Sequence, residues 1–347
     1  RPKMYWVSLM KPAAPVVSVI LPVRDARPYL DAAIVSLLSQ TLEDFELIAV
    51  DDGSVDGSRH ALDTWAKKDS RVKVFSHKPM GIVATLERAR AEASGRYMAR
   101  MDADDVAEPR RLEQQLEMLE ADPSLAGCGT GVTYFPAEVV RDGARRYETW
   151  INGLVSPEDI AREIFVECPL AHPTFFFRSN IIDAVGGYLD QGWPEDYDLL
   201  LRLWAEGYRL GKVPDQLLRW RERADRLSRT DGRYSPASFL ACKAHYLQRT
   251  LLRGMDGTVI WGAGPVGKAV ARALLDVGAV VLAFVDLDPR KLGQEIHGAP
   301  VIDTESGLRM RGCLHLAAVG QEGARQLLRT TLGEAGLREL VDFAAVA

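Results

Sequence analysis

Three aspartates, Asp102, Asp104 and Asp105, crowd into four consecutive positions where the apolar run of "RYMARMDADD" stops. Two carboxylates about 4 Å apart repel by roughly 4 kcal/mol at an effective dielectric near 20. Such a cluster either splays, one acid capping the next helix and the others in solvent, or converges on a positive charge. A second acidic turn, "VDDGSVDGS", carries Asp51 and Asp52 at the end of another apolar run, with Gly53 and Ser54 to turn the chain. A carboxylate there can accept the N3–H of a uracil or ribose hydroxyls, and glycine lets the backbone approach a ligand. The two turns together suit a divalent cation bridging a diphosphate. Magnesium or manganese is held by a few carboxylates plus phosphate oxygens and needs no histidine or cysteine. The positive charge missing from the first cluster is therefore expected to arrive as a metal with a nucleoside diphosphate.

Other residues admit a functional and a structural reading. "WPEDYDLLLRLWAEG" puts Glu195 and Asp196 behind Pro194 at a helix start, where acids complement the helix dipole without any catalytic duty. In "QLLRWRERADRLSR", Arg219, Arg221, Arg226 and Arg229 could pair with a diphosphate or form a solvated basic loop. His172 in "LAHPTFFF" stands alone and reads as structural. Near the C-terminus, "TVIWGAGPVGKAVARALLDVG" and then "LAFVDLDP" supply a strand, the glycines Gly262, Gly264 and Gly267, a helix, and Asp286 some twenty residues on. That is the setting of a second nucleotide site holding NAD(P) or another nucleotide. Its ligand-free counterpart is a docking domain, and too little chain follows for the substrate domain of a dehydrogenase.

These residues need elements to hold them. From residue 16, short β-rich runs alternate with amphipathic helical stretches, which predicts an α/β fold with a largely parallel sheet covered on both faces. Ligands then bind beyond the carboxyl ends of the strands, where both acidic turns open onto one rim. Between about 122 and 235 the alternation fades into loops, the expected acceptor side. "ASFLACKAHYLQRTLLRG" predicts a helix stopping at Gly254. At 347 residues the chain accommodates two cores. The expected organisation is an N-terminal arm over 1–14, a first domain over 15–235, a helical linker over 236–256, and a small Rossmann-like domain over 257–347 that folds separately. A net charge of −5 provides no field for nucleic acid. "PVVSVILPV" is too short to span a bilayer, so a cytoplasmic protein is expected. Cys128, Cys168, Cys242 and Cys313 are scattered like reduced thiols.

The ordered motifs "VVSVILPVRDARPYLDAAIVSLLSQTLEDFELIAVDDGSVDGS" and "GIVATLERARAEASGRYMARMDADD" resemble family 2 of the inverting glycosyltransferases, with their GT-A nucleotide-sugar fold, over roughly residues 16–225. The resemblance implies a nucleotide-diphosphate sugar as donor and a saccharide, lipid-linked or other hydroxyl compound as acceptor, the lipid-linked one reached by peripheral membrane contact. It implies that the rim at Pro22, Val23 and Asp25 holds the nucleotide and that Asp52, with Asp51 beside it, reads the base. The D-x-D carboxylates map to Asp102 and Asp104, with Asp105 close by, and hold Mn2+ or Mg2+. Asp196, paired with Glu195, matches the general base. "PVRDAR" departs from the Tyr-Asn the family often has after the proline and valine. "VDLDPRKLGQEIHGAPVI" resembles the Rossmann-like piece in front of bacterial sugar acyltransferases, although the hexapeptide repeats are absent. The rival class is a transferase half without activity, kept as a nucleotide- or NAD-responsive scaffold; intact "DADD" and "PEDYD" argue against it.

Overall fold

The computed structural model describes residues 14–321 and 323–347, so all but the last residue of the expected N-terminal arm lies outside it. Strands β1 (Val17–Val23) and β2 (Phe45–Asp51) are buried along their whole length, as largely apolar strands inside a parallel sheet are. They are followed by β3 (Val72–Ser76), β4 (Tyr97–Arg100), the two-residue β5 (Val106–Ala107), β6 (Leu125–Phe135), β7 (Phe176–Arg178) and β8 (Arg209–Arg221). The sheet order is β3-β2-β1-β4-β7-β6-β8-β5. Alternate residues serve opposite faces. Val17, Val19 and Leu21 join the cluster that includes Leu30 and Leu62, whereas Ile20, Ile48 and Val50 join the one that includes Leu86 and Leu199.

The parallel expectation holds from β3 to β4, and beyond it only the pairing of β6 with β8 is parallel. β7 runs antiparallel to both β4 and β6, and β5 antiparallel to β8. The stretch expected as loops contains the two longest strands, β6 and β8, paired in parallel. They were hidden by their glycines and by Pro214 in "RLGKVPDQLLRWR", residues that ordinarily mark turns. Here the glycines serve close packing: a Cβ on Gly127 would fall 1.9 Å from Phe177 Cδ1.

The second sheet holds β9 (Thr258–Trp261), β10 (Val281–Val285), β11 (Glu295–Ile296), β12 (Ala299–Ile302), β13 (Leu314–Ala317) and β14 (Phe343–Ala345), in the order β11-β12-β10-β9-β13-β14. All its pairings are parallel except β11 with β12. The helix Pro236–Arg249 joins the two units and ends five residues before Gly254. One apolar cluster runs from Leu199 through Leu247 to Leu274 and Leu316, so the core crosses the boundary between the units. Charge crosses it too. The buried Glu163 carboxylate accepts from Arg325 Nη1 (2.8 Å) and Arg329 Nη1 (2.6 Å), and Lys243 Nζ donates to the carbonyls of Val166 and Val346. Among the described residues no helix is long and apolar enough to cross a membrane.

Candidate functional site

The expected acidic cluster forms at the carboxyl end of β4. Asp102, Asp104 and Asp105 each offer a carboxylate oxygen within 4.8 Å of the others. The strand end is fixed from both sides: Arg100 N–H donates to Phe175 O, and the buried Arg111 donates through Nη2 to Arg100 O (2.5 Å). Arg111 is fully buried there, and that burial pushes it down to about 10. Positive charge is present already, contrary to the bare cluster expected. Arg100 Nη2 lies 2.6 Å from Asp102 Oδ1, and Arg223 Nε lies 3.3 Å from Asp104 Oδ2 as an ion pair without hydrogen-bond geometry. It is not enough. Asp105 Oδ1 accepts Arg221 N–H (2.7 Å), but its buried Oδ2 has no partner. Burial, and then the neighbouring Asp102, pushes Asp104 up; burial with both neighbours pushes Asp105 well up. An all-oxygen donor set with an orphaned buried oxygen fits a hard divalent cation.

Arg219 and Arg221 lie on β8 rather than in a loop, and Arg219 and Arg229 stay exposed whereas Arg221 and Arg226 are half-buried. Arg221 lies over the rings of Tyr29 (4.4 Å) and Phe135 (4.3 Å), and Arg219 over Phe135. Arg226 lies 4.5 Å over Trp220, which stacks on Tyr134, and both Arg226 and Arg229 pair with Glu222.

Glu195 and Asp196 open the helix Glu195–Ala205, with Pro194 as its N-cap and no side chain capping it. Both oxygens of Glu195 accept from Tyr234 OH (2.9 and 2.8 Å), and the side chain is 1% exposed. Asp196 Oδ1 accepts Tyr197 N–H (2.8 Å), while the side chain keeps 19% exposure. Burial, and then the charge of Asp196, pushes Glu195 up to about 7; burial pushes Asp196 up to about 6. His172 joins this pair after all, its Nδ1 being 3.6 Å from Glu195 Oε1 and 3.9 Å from Asp196 Oδ2. Burial, and then the charge of Arg100, holds its imidazole well below the usual range, hence neutral. Asp198 has a different job: Trp193 Nε1, Tyr246 OH and Arg202 Nε saturate it at 2.8 Å each.

At the rim, Pro22 and Val23 end β1 beside Val50 and Asp51. Asp25, with φ 45°, accepts Val55 N–H through Oδ1 (2.8 Å) and so ties the two turns together. Asp52 is committed to the protein. Its Oδ1 accepts Met80 N–H (2.6 Å) and lies 3.3 Å from His77 Nδ1; its Oδ2 accepts Gly81 N–H (3.1 Å) and Arg24 Nη1 (3.4 Å). Three hydrogen bonds and a neighbouring imidazole thus occupy most of its acceptor positions. Asp51 has one long contact, from Ser54 N–H (3.3 Å). Arg24, which departs from the family pattern, is anchored by Asp52 O (2.6 Å) and Asp25.

The glycine turn after β9 is a separate place with separate accounting. A Cβ on Gly267 would fall 1.8 Å from Gly262 O, and Gly262 has φ 116°, so both glycines are required by the strand-to-helix crossing. Gly264 precedes the helix Pro265–Asp276 and has open space around it. Asp286 accepts Ala263 N–H (2.9 Å) and Lys291 Nζ (2.8 Å) through Oδ2, and Asp288 N–H through Oδ1. The acid that would meet a ribose is turned onto its own glycine turn, so these residues do not fit NAD(P).

The acid-bearing sheet has the GT-A architecture: S. aureus TarS 1–349, solved with UDP-GlcNAc, aligns with a TM-score of 0.54 at 16% identity over 67% of this chain and 66% of that one. The glycosyl transferase family 2 model matches residues 18–186. A protein of Bacillus subtilis named "Putative glycosyltransferase EpsE" is 33% identical over 228 residues, 64% of this chain and 79% of that protein. The O-antigen biosynthesis glycosyltransferase WbnJ of Escherichia coli is 32% identical over 209 residues, 59% and 79%. An uncharacterized glycosyltransferase of Haemophilus influenzae is 31% identical over 216 residues, which span 60% of this chain and 65% of that protein, just under two thirds. The chain belongs to glycosyl transferase family 2 and is a glycosyltransferase.

Sequence reasoning missed Arg100, Arg223 and Tyr234. Arg100 was in view, two residues before Asp102; the other two lie far along the chain from the acids they meet.

Proposed function

We propose that this glycosyltransferase is metal-dependent and inverting, moving a sugar from a nucleoside-diphosphate donor to a hydroxyl acceptor in cell-surface polysaccharide assembly. The observation that carries the reading is the pairing of an under-neutralised carboxylate cluster with a second, partly exposed carboxylate of raised proton affinity. The names of WbnJ and of the amylovoran biosynthesis glycosyltransferase AmsE support the pathway class, and the UDP-GlcNAc in the TarS title supports the donor class.

Asp102, Asp104 and Asp105 would hold the cation, which when bound offsets charge developing on the leaving diphosphate. Glu195, nearly buried and held at both oxygens by Tyr234, orients the helix start. Asp196 has Oδ2 left for the acceptor and a proton affinity lifted toward neutrality, the property wanted in a general base. It takes the acceptor hydroxyl proton as that oxygen forms a bond to the anomeric carbon and the bond to the diphosphate breaks. One displacement inverts the centre. Neutral His172 supports the pair without adding charge. At the rim, Pro22, Val23 and Asp25 shape the nucleoside seat, Asp52 pins its far wall at Met80–Gly81, and Asp51 is the acid left to meet the base.

A panel of nucleotide sugars screened by thermal shift, with and without manganese, tests the reading, because a ligand that binds the native state stabilises it by mass action. One donor should raise the melting temperature only with the cation and be turned over with a hydroxyl acceptor. No shift and no transfer or hydrolysis across the panel would overturn it.

A further inference from the structure

The acids of the site have a shared neighbour that the proposed mechanism leaves idle. Arg100 is 5% exposed and sits on the last residue of β4, with its backbone clamped by Phe175 and Arg111. One terminal nitrogen, Nη2, meets Asp102 Oδ1 at 2.6 Å. The other two, Nε and Nη1, are buried and reach no acceptor. A guanidinium cannot lose its proton to escape this, and an unmet buried donor attached to a charge is among the more expensive features a fold can keep. Its position explains why it is kept. On one side its guanidinium meets Asp102 of the carboxylate cluster; on the other its backbone pairs with Phe175, whose ring lies 4.9 Å from that of His172, the neighbour of Glu195 and Asp196, so Arg100 stands between the cluster and the base. The reacting sugar must occupy that interval, joined to the diphosphate on one side and attacked by the acceptor on the other.

We propose that Arg100 is a contact to the transferred sugar, its Nε–H and Nη1–H donating to hydroxyl oxygens of a neutral hexose. This rests on the nucleotide-sugar reading above and adds the residue that recognises the sugar. The chemistry favours hydroxyls over a uronate carboxylate. Asp102 is already paired with the guanidinium, and Asp104, Asp105, Glu195 and Asp196 make the surroundings acidic, so another carboxylate would meet repulsion. Hydroxyl oxygens satisfy the orphaned donors without adding charge.

The test compares a nucleoside diphosphate with its hexose ester, both in manganese, using whichever pair stabilises the wild-type protein. In Arg100→Gln the ester should bind roughly ten- to a hundredfold more weakly, the effect of losing hydrogen bonds from a charged donor, while the diphosphate binds as before. Equal weakening of both ligands would mean that Arg100 acts only through Asp102 and the cation, and no weakening would mean that it touches nothing; either result overturns the proposal. Should Arg100→Gln fail to fold, deoxy-hexose donors on the wild-type protein replace it. At least one deoxy position should lose a comparable factor, and undiminished binding at every position overturns the assignment. A uronate ester is expected to bind more weakly than the hexose ester, and tighter binding would refute the preference for a neutral sugar. If no nucleoside diphosphate binds the wild-type protein at all, it is the donor reading that fails.

Discussion

The two sheets share a plan and differ in what remains unsatisfied at their carboxyl ends. In the large sheet β1 lies between β2 and β4, and in the small one β9 lies between β10 and β13, so each opens a crevice where the strand order reverses. In the first crevice the polar groups do not balance. Asp105 keeps an unpartnered oxygen, Arg100 two unpartnered nitrogens, and Glu195 and Asp196 are pushed up together by burial. In the second, Asp286 faces Lys291 and the backbone of its own turn, and Gly262 and Gly267 are accounted for by a close crossing. A crevice supplied by topology is a place for a ligand only where the protein has left work for that ligand to do.

Asp104→Ala should remove one of the proposed cation ligands and with it all cation dependence of nucleoside-diphosphate binding, the largest effect expected. Calorimetry in EDTA and in manganese checks this, and equal wild-type affinities in the two would break the contrast between the crevices. Asp196→Asn should lower turnover by roughly 10²–10⁴-fold with donor affinity intact, as loss of a general base does. A mere helix-start role for Asp196 would instead appear as a small stability loss with normal single-turnover rates.

A smaller effect follows from the raised proton affinities. Only the deprotonated carboxylate can act as base, so turnover should climb with pH through about 6 to 7 and fall about tenfold per unit below that. The stability sign is opposite. The folded protein keeps protons that the unfolded chain releases from groups near their ordinary values of 3.8 and 4.5, so this pair's contribution is present at low pH and lost as pH rises through 6 to 7. A pH–rate profile that stays flat from 5 to 8 would remove Asp196 from the mechanism. The smallest effect belongs to Asp286→Ala, which should reduce stability by about 1–2 kcal/mol through its lost hydrogen bonds and leave turnover unaltered. Loss of activity without unfolding would reopen the second crevice as a ligand site.

The apolar runs and acidic turns made the first four strands and the carboxylate cluster legible, because both depend on neighbours in the chain. What escaped depends on distant partners. Glycine-rich β6 looks like loop until Phe177 is seen to need the space, and His172 looks solitary until the helix at Glu195 is brought beside it. Asp52 and Asp286 have the right types at the right spacing, yet only the fold reveals that Met80, Gly81 and Ala263 have already claimed their oxygens. Composition can nominate an acceptor; it cannot say whether the acceptor is vacant.

Glu163 carries a consequence for modular inheritance. It belongs to the first unit, but the cations that neutralise it, Arg325 and Arg329, belong to the second, and Trp150 Nε1 completes its contacts from its own side. Exchanging the second unit for an unrelated one would strand a carboxylate in the interface, and breaking a buried pair in this way costs about 3–5 kcal/mol. A recombination that joins the first unit to a new tail would therefore carry that cost unless Glu163 were replaced as well.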